Sequence, residues 1–568
     1  MRTWMTSQAH RGRIARSLGG ARGSGLLSGW SVAVTLLALL VAAPVWVVLS
    51  SAFTPSGDVW SHLASTVLPR YVRNSLWLLL GVGLGSLVIG VGLAWLVTMC
   101  RFPGKRVFEW ALLLPMAVPA YILAYTYTDF LQFAGPLQTT LRAVTGWGPG
   151  EYWFPNVRSL GGAIAMLTLA LYPYVYLLSR AAFLEQSSSI LEASRSLGRG
   201  PWRSFFSVSL PLARPAIAAG VALALMETLS DFGTVDYFGV QTFTTGIYRT
   251  WFGMGERVAA AQLAALLLVF VFVLVVLERW PRRRGAYQQP MSSRYRVLAM
   301  YRLTGRRAAL AFMASLTPIA LGFLLPAGVL LTMAVRNAGR SVSPAFWQYA
   351  GNSLLLAVLT ALLAMVLALV LAYGVRIRPN VLTKLSTRVA SMGYAVPGSV
   401  IAVGVLMPLG FIDNTVDGWM RSVFGVSTGL LLSGTIVGLV FAYLVRFLAV
   451  SFGTVEAGLG KVTRSMDEAA GSLGHKPLST LVRVHMPILR GSLLTAMLLV
   501  FVDVIKELPA TLIVRPFNFD TLAVRVYRLA SDERLVEASG GALAIVLVGI
   551  LPVIVLSTAI ARSRERRR

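Results

Sequence analysis

The sequence predicts an all-α integral membrane protein with about twelve transmembrane helices arranged as two parallel six-helix repeats. Three observations carry this expectation. Of 568 residues, 56% are hydrophobic and only 13% charged, with a mean hydropathy of +0.70, which excludes an ordinary soluble enzyme. Apolar runs long enough to cross a bilayer recur along the whole chain. A polar pattern that interrupts these runs occurs twice, together with other paired motifs at nearly the same interval.

The formal net charge of +28 does not point to nucleic acid, because the basic residues sit in short segments between apolar runs. Retention of basic loops on one side of a lipid bilayer accounts for it. Arg2, Arg11, Arg13, Arg16 and Arg22 lie in a basic cytoplasmic segment, 1–29, ahead of the first apolar run, 30–53. That run is too long for a signal-peptide core and reads as an uncleaved span. Further spans are expected near 75–99, 108–130, 159–183, 205–229 and 259–277, completing a first domain over 30–278. A basic linker, 279–307, carries Arg282, Arg283, Arg284 and the helix-breaking Gln288-Gln289-Pro290. A second domain, 308–561, holds spans near 308–334, 353–375, 389–411, 428–450, 488–513 and 540–561, and a basic tail, 562–568, follows.

An even number of spans puts both ends and the linker on one side. The loops with Arg101, Lys105 and Arg106, and with Arg376, Arg378, Lys384 and Arg388, fall on that same side, which their charge makes the cytoplasm. The less basic loops 54–71 and 132–157 fall outside. Cys100 is the single cysteine, so neither an intramolecular disulfide nor a thiolate cluster can form; packing at the membrane edge is its expected role.

The halves echo one another. Asn74-Ser75 recurs as Asn352-Ser353, and Ala117-Val118-Pro119 as Ala395-Val396-Pro397. With six spans in each, both halves face the same way, and a pathway is expected where they meet. Glycines at 81, 83, 85, 90 and 92 allow close helix packing. The repeated polar pattern reads Glu192-Ala193-Ser194, then Gly198, then Val208-Ser209-Leu210-Pro211; its second copy reads Glu468-Ala469-Ala470, Gly474, Val484-His485-Met486-Pro487 at identical spacing. Ser189 and Ser465, three residues before each Glu, suggest capping boxes. Gly198 and Gly474 suit left-handed C-terminal caps, and Pro201 and Pro477 suit the first turn of a following helix.

This pattern resembles the EAA loop of ABC importer permeases, with Ser194 in place of the second Ala and Met486 in place of the usual Leu. The resemblance implies that Glu192, Ala193, Ser194 and Gly198, with Glu468, Ala469, Ala470 and Gly474, dock on an ATP-hydrolysing subunit. That subunit is expected as a dimer on a separate chain, carrying the ATP and magnesium. The resemblance also implies an extracytoplasmic substrate-binding protein and a place in the bacterial inner membrane. Two fused permease domains, and the wording of 231–249 and 506–523, are similar to ferric-iron importer permeases, which implies ferric iron as cargo and alternating access as mechanism. Thiamine permeases share the fused architecture, and thiamine or another small solute is the alternative cargo.

No catalytic constellation accompanies these features. Gly458-Leu459-Gly460-Lys461-Val462 looks like part of a phosphate loop, but Val455 stands where the first Gly is needed and Val462 where a hydroxyl would hold magnesium. His10, His62, His475 and His485 form no i, i+4 pair, so no metal-ligand set or cofactor is expected on this chain. Acidic pairs are more informative. Glu227 with Asp231, and Asp503 with Glu507, share one interval and one distance from their EAA glutamates. Ionisable groups at membrane depth are expensive and face a cavity or a partner. These carboxylates either line a cation passage or are structural, with Glu507 neutralised by Lys506 and Asp231 in an outer loop. A secondary transporter driven by an ion gradient is the rival class, and the two docking segments argue against it.

Overall fold

The computed structural model describes residues 29–55, 57–186, 192–194, 196–198, 200–284 and 300–565. Eleven helices in this range are long and apolar enough to cross a membrane, and a bent pair brings the number to twelve. In chain order they are Gly29–Ser51, Leu68–Met99, the pair Lys105–Ala117 and Ala120–Thr145, Leu160–Glu185, Pro201–Ser230 and Arg257–Glu278 in the first half. The second half holds Gly305–Arg336, Pro344–Ile377, Gly398–Phe424, Ile436–Leu459, Pro477–Ile505 and Leu535–Val555.

Each expected run has a counterpart, with two differences of physical interest. The third is not one straight span: it turns by 88° at Val118-Pro119. A proline lacks the N–H that continues a helix and forces the preceding residue into extended backbone, so the chain breaks there. Pro397 repeats the break in the second half, with backbone angles (−58°, 142°) that match those of Pro119 (−56°, 141°). The eleventh run, expected over 488–513, ends as a span at Ile505; Pro509–Val514 is a separate short helix after a break at 506–508. Lys506, Glu507 and Pro509 interrupt the apolar run there, and the proline separates the two helices, so the span is shorter than the apolar residues on either side suggest.

Each half lends its first span to the other. The span Gly29–Ser51 lies on the second half, where Thr35 Oγ1 and Ser386 Oγ are 3.2 Å apart. Gly404 lets the backbone of Pro44 come so close that a Cβ would stand 2.3 Å from its carbonyl oxygen. Reciprocally, Gly305–Arg336 lies on the first half: Tyr127 Oη donates to the Leu321 carbonyl at 2.6 Å, and the Phe108 and Phe312 rings meet edge-on at 5.1 Å. Within the first half, Gly85 and Gly90 of the second span press against Thr168 and Val175 of the fourth, while Gly92 faces open space. Without a hydrophobic force between helices in lipid, such close backbone approach is what packs them. Cys100 is buried, and Cys100–Arg101 pairs in parallel with Tyr301–Arg302 where the chain re-enters after the linker. The sixth helix runs on to Arg284, inside the region expected as linker.

Candidate functional site

Two regions hold the residues that the sequence singles out: the EAA segments at one end of the bundle, and a cavity where the halves meet. In the second segment, Arg464–Ser472 is a helix; Gly474 follows at φ +78°, and a new helix begins at Pro477. The first segment is helical at 192–194 and 196, with Gly198 at φ +75° and a new helix from Pro201. The positive φ is the left-handed cap that only glycine adopts without strain. Each new helix then widens into a π turn, Phe205–Ser209 or Leu481–His485, just ahead of Pro211 or Pro487, whose missing N–H removes a regular helical bond.

The expected capping boxes fare differently. Ser189 lies outside the described residues. Ser465 does not cap: Thr463 occupies the cap position without a side-chain cap bond, and its hydroxyl meets that of Ser465 at 2.9 Å inside the first turn. The second helix is instead anchored by charge. Arg376, at the end of the eighth span, donates Nη2 to Asp467 Oδ2 (2.7 Å) and Nη1 to the Leu459 carbonyl (2.9 Å), and Nη2 also reaches the Val462 carbonyl (2.9 Å). His485 Nε2 lies 2.8 Å from Asp467 Oδ1, and Tyr373 Oη donates to the Pro477 carbonyl at 2.6 Å. Ser194 and Ala470 are the buried members of their triplets. The Ser194 hydroxyl meets Ser204 Oγ at 2.9 Å, which explains a serine where the second copy has alanine. Ala469 and Glu468 face outward, and beside the caps Leu197 and Leu473 are 77% and 78% exposed, an apolar pair at equivalent places.

The cavity, of about 130 Å³, has room for several waters. Both proline breaks reach it, through Pro119 and through Tyr394 beside Pro397, and so do Glu227, Asp231, Asp503 and Glu507. All four expected carboxylates therefore converge, but in two roles. Asp231 Oδ1 accepts the backbone N–H groups of Thr234 and Val235 (both 3.1 Å), and Glu507 accepts those of Ala510 (2.9 Å) and Thr511 (3.0 Å). Each closes the start of the short helix after its span, Gly233–Tyr237 or Pro509–Val514. Glu227 and Asp503 have no such backbone duty among the described contacts.

The neutralising partners differ from those the sequence suggested. Lys506 does not pair with Glu507; its Nζ is 2.8 Å from Asp503 Oδ1. Glu507 pairs with Arg446, whose Nη1 is 3.3 Å from Glu507 Oε1 and whose Nη2 is 3.8 Å from Glu227 Oε2, so one guanidinium spans the halves. Gly398 makes this possible, since a Cβ there would stand 2.3 Å from Arg446 Nη1. Sequence reasoning missed Arg446, although a charged residue inside the apolar run Ile436–Leu459 was a visible signal. Among the described residues, no three His, Cys, Asp or Glu side chains come together as a metal-ligand set.

At the end of the bundle away from the EAA segments the halves touch through polar groups. Tyr527 Oη donates to Asp236 Oδ2 at 2.7 Å, and Arg158 Nη2 is 3.2 Å from Glu533 Oε1. Burial, and then the Asp236 carboxylate, push the Tyr527 phenol's pKa up, so it stays a donor.

Comparison with known proteins agrees with this arrangement. The family described as the binding-protein-dependent transport system inner membrane component matches residues 86–284 and 364–568, once in each half and without the exchanged first spans. The Fe(3+)-transport system permease protein FbpB 2 of Haemophilus influenzae is 26% identical, with 92% of this chain and 97% of that protein covered. The ferric transport system permease protein FbpB of Actinobacillus pleuropneumoniae is 25% identical over 86% of this chain and 70% of its own length. The molybdenum transport system permease protein ModB of Escherichia coli is 27% identical over 35% of this chain and 86% of its own length, so it corresponds to one half.

Proposed function

This chain belongs to the family of inner membrane components of binding-protein-dependent transport systems, and on that premise we propose that it is the permease of an ATP-driven importer of ferric iron. The observation that carries the cargo is the end-to-end similarity to a permease named for Fe(3+) transport, which covers 92% of this chain and 97% of that protein. The cavity chemistry supports a cation: four carboxylates line it against one arginine and one lysine. An ATPase dimer, holding ATP and magnesium, grips the two exposed EAA helices, and an extracytoplasmic binding protein delivers iron at the opposite end. Both termini and the basic linker face the cytoplasm, in keeping with the positive loops. ATP-driven closure of the ATPase tilts the halves, parts the Tyr527–Asp236 and Arg158–Glu533 contacts and opens the passage outward. The permease catalyses no covalent step; it contributes alternating access, and the ATPase contributes the free energy.

Binding-protein-dependent uptake in proteoliposomes, with labelled iron and labelled thiamine in competition, tests this reading. Iron is expected to accumulate only with ATP and both partners, undiminished by excess thiamine. Uptake that persists without ATP and the ATPase would establish a secondary transporter instead, and thiamine accumulation would overturn the iron assignment.

A further inference from the structure

Glu227 and Asp503 occupy equivalent places near the ends of the fifth and eleventh spans, and two tyrosines line the same cavity. Tyr174 comes from the fourth span and Tyr394 from the turn Gly393–Ala395, and both line the cavity. Both phenols share the cavity with Glu227 and Asp503. Each half therefore contributes one carboxylate and one phenol to a common wall. All four are hard oxygen donors, the kind that hard multivalent cations select.

Two side-chain cations already stand against these oxygens, Lys506 at Asp503 (2.8 Å) and Arg446 at Glu227 (3.8 Å). Such counter-charges are needed, because carboxylates without them are costly in a low-dielectric setting. They do not saturate the site. Tyr121 Oη on the same wall has no hydrogen-bond partner although Tyr121 is 5% exposed. An orphaned phenol oxygen that lines a cavity is what a cation or its waters would satisfy. Asp231 and Glu507 are committed to backbone N–H groups and are not available in the same way.

We infer that Glu227, Asp503, Tyr174 and Tyr394 form a transient binding site for a hard multivalent cation, with Arg446 and Lys506 as tethered cations that neutralise it when empty. The inference rests on the reading of this chain as a cation importer. Coulomb attraction scales with charge, so a trivalent ion displaces a monovalent side chain from a carboxylate pair. The return of the tethered cations then weakens the hold on the ion, as conduction requires. Lys506 is suited to this movement because it sits at the break that ends the eleventh span.

The test uses the full-length chain in nanodiscs and terbium chloride as a hard trivalent probe, whose emission is sensitised by nearby tyrosine. Wild type is expected to show saturable sensitised emission. Tyr174→Phe with Tyr394→Phe, which keeps the packing, lowers that emission, and Glu227→Gln with Asp503→Asn weakens apparent affinity by about tenfold or more. Lys506→Gln tightens it, because a competitor is gone. Unchanged emission and affinity in both double variants, each eluting as the wild type does, would overturn the site, and so would weaker binding in Lys506→Gln. Iron uptake by the assembled transporter is measured in parallel. Site-dependent terbium binding without iron uptake supports the site and sinks the iron reading; iron uptake with terbium binding indifferent to these residues does the reverse.

Discussion

The helix Arg464–Ser472 in the second EAA segment is tied to the eighth span by the Arg376 guanidinium, which reaches Asp467 and the carbonyls of Leu459 and Val462. In the first segment the positions equivalent to Arg376 and His485 are Thr98 and Ser209, and both hydroxyls are buried without a hydrogen-bond partner. Aromatic packing takes over there: Trp95 meets Phe183 at 5.7 Å and Phe205 at 4.9 Å, and Gln186 Nε2 donates to the Ser209 carbonyl at 2.8 Å. Charge-assisted bonds add strength and geometric specificity, and ring pairs hold through offset or edge-on packing. Two segments with one backbone plan are thus anchored differently, the second by charge-assisted bonds to its span and the first by ring contacts.

The largest expected effect treats the segments as equals. Glu192→Arg with Glu468→Arg should leave the protein in the membrane, since Glu468 is exposed and Glu192 half-buried and a change at such places costs about 1 kcal/mol, yet abolish co-purification with the ATPase. Normal co-purification and transport would remove these glutamates from the docking surface. Next, Trp95→Ala opens a cavity in the first segment's packing and should cost about 3–4 kcal/mol, read as a lower melting temperature in nanodiscs. If hydrogen exchange then rises at 464–472 as much as at 192–198, the two anchors are not independent.

Arg376→Ala is the matching change in the second segment. It takes the guanidinium from a partly buried Asp467, which keeps only His485 at 2.8 Å, and should cost about 2–3 kcal/mol, below the fully buried range because both groups retain some exposure. Hydrogen exchange at 464–472 should speed up while 192–198 stays as it was; equal protection in variant and wild type would show that the guanidinium is not the anchor. The smallest effect belongs to Thr98→Val. Its hydroxyl has no partner to lose, so stability should move by no more than about 0.5 kcal/mol, toward greater stability if at all. A loss of several times that size would mean that a bond to Thr98 forms in another state of the cycle.

The residues that were legible in sequence share a property: their meaning is local. Gly198 and Gly474 announce left-handed caps because the backbone there needs φ near +75°, and Pro201 and Pro477 announce a new helix because proline suits its first turn, whereas Pro119 and Pro397 showed only as a repeat within runs expected to be straight. The convergence of Glu227, Asp231, Asp503 and Glu507 was foreseeable from their equal distance to the EAA glutamates, since equal helices from equivalent starts end at equivalent places. Their division into cap residues and unclaimed carboxylates was not, because it depends on which backbone N–H groups the following turn presents.

By itself the sequence determined the approximate places of the spans, the repeat and the helix-turn-helix form of the EAA segments, since apolar run length and glycine caps are consequences of the chain's own backbone and its solvent. Only the tertiary structure decided that each half lends its first span to the other, that Lys506 turns to Asp503 rather than Glu507, and that Arg446 bridges Glu227 and Glu507. An apolar helix is nearly the same on every side, so its sequence says that it lies in the membrane without saying against which neighbour, and the partner of a buried charge is set by that choice.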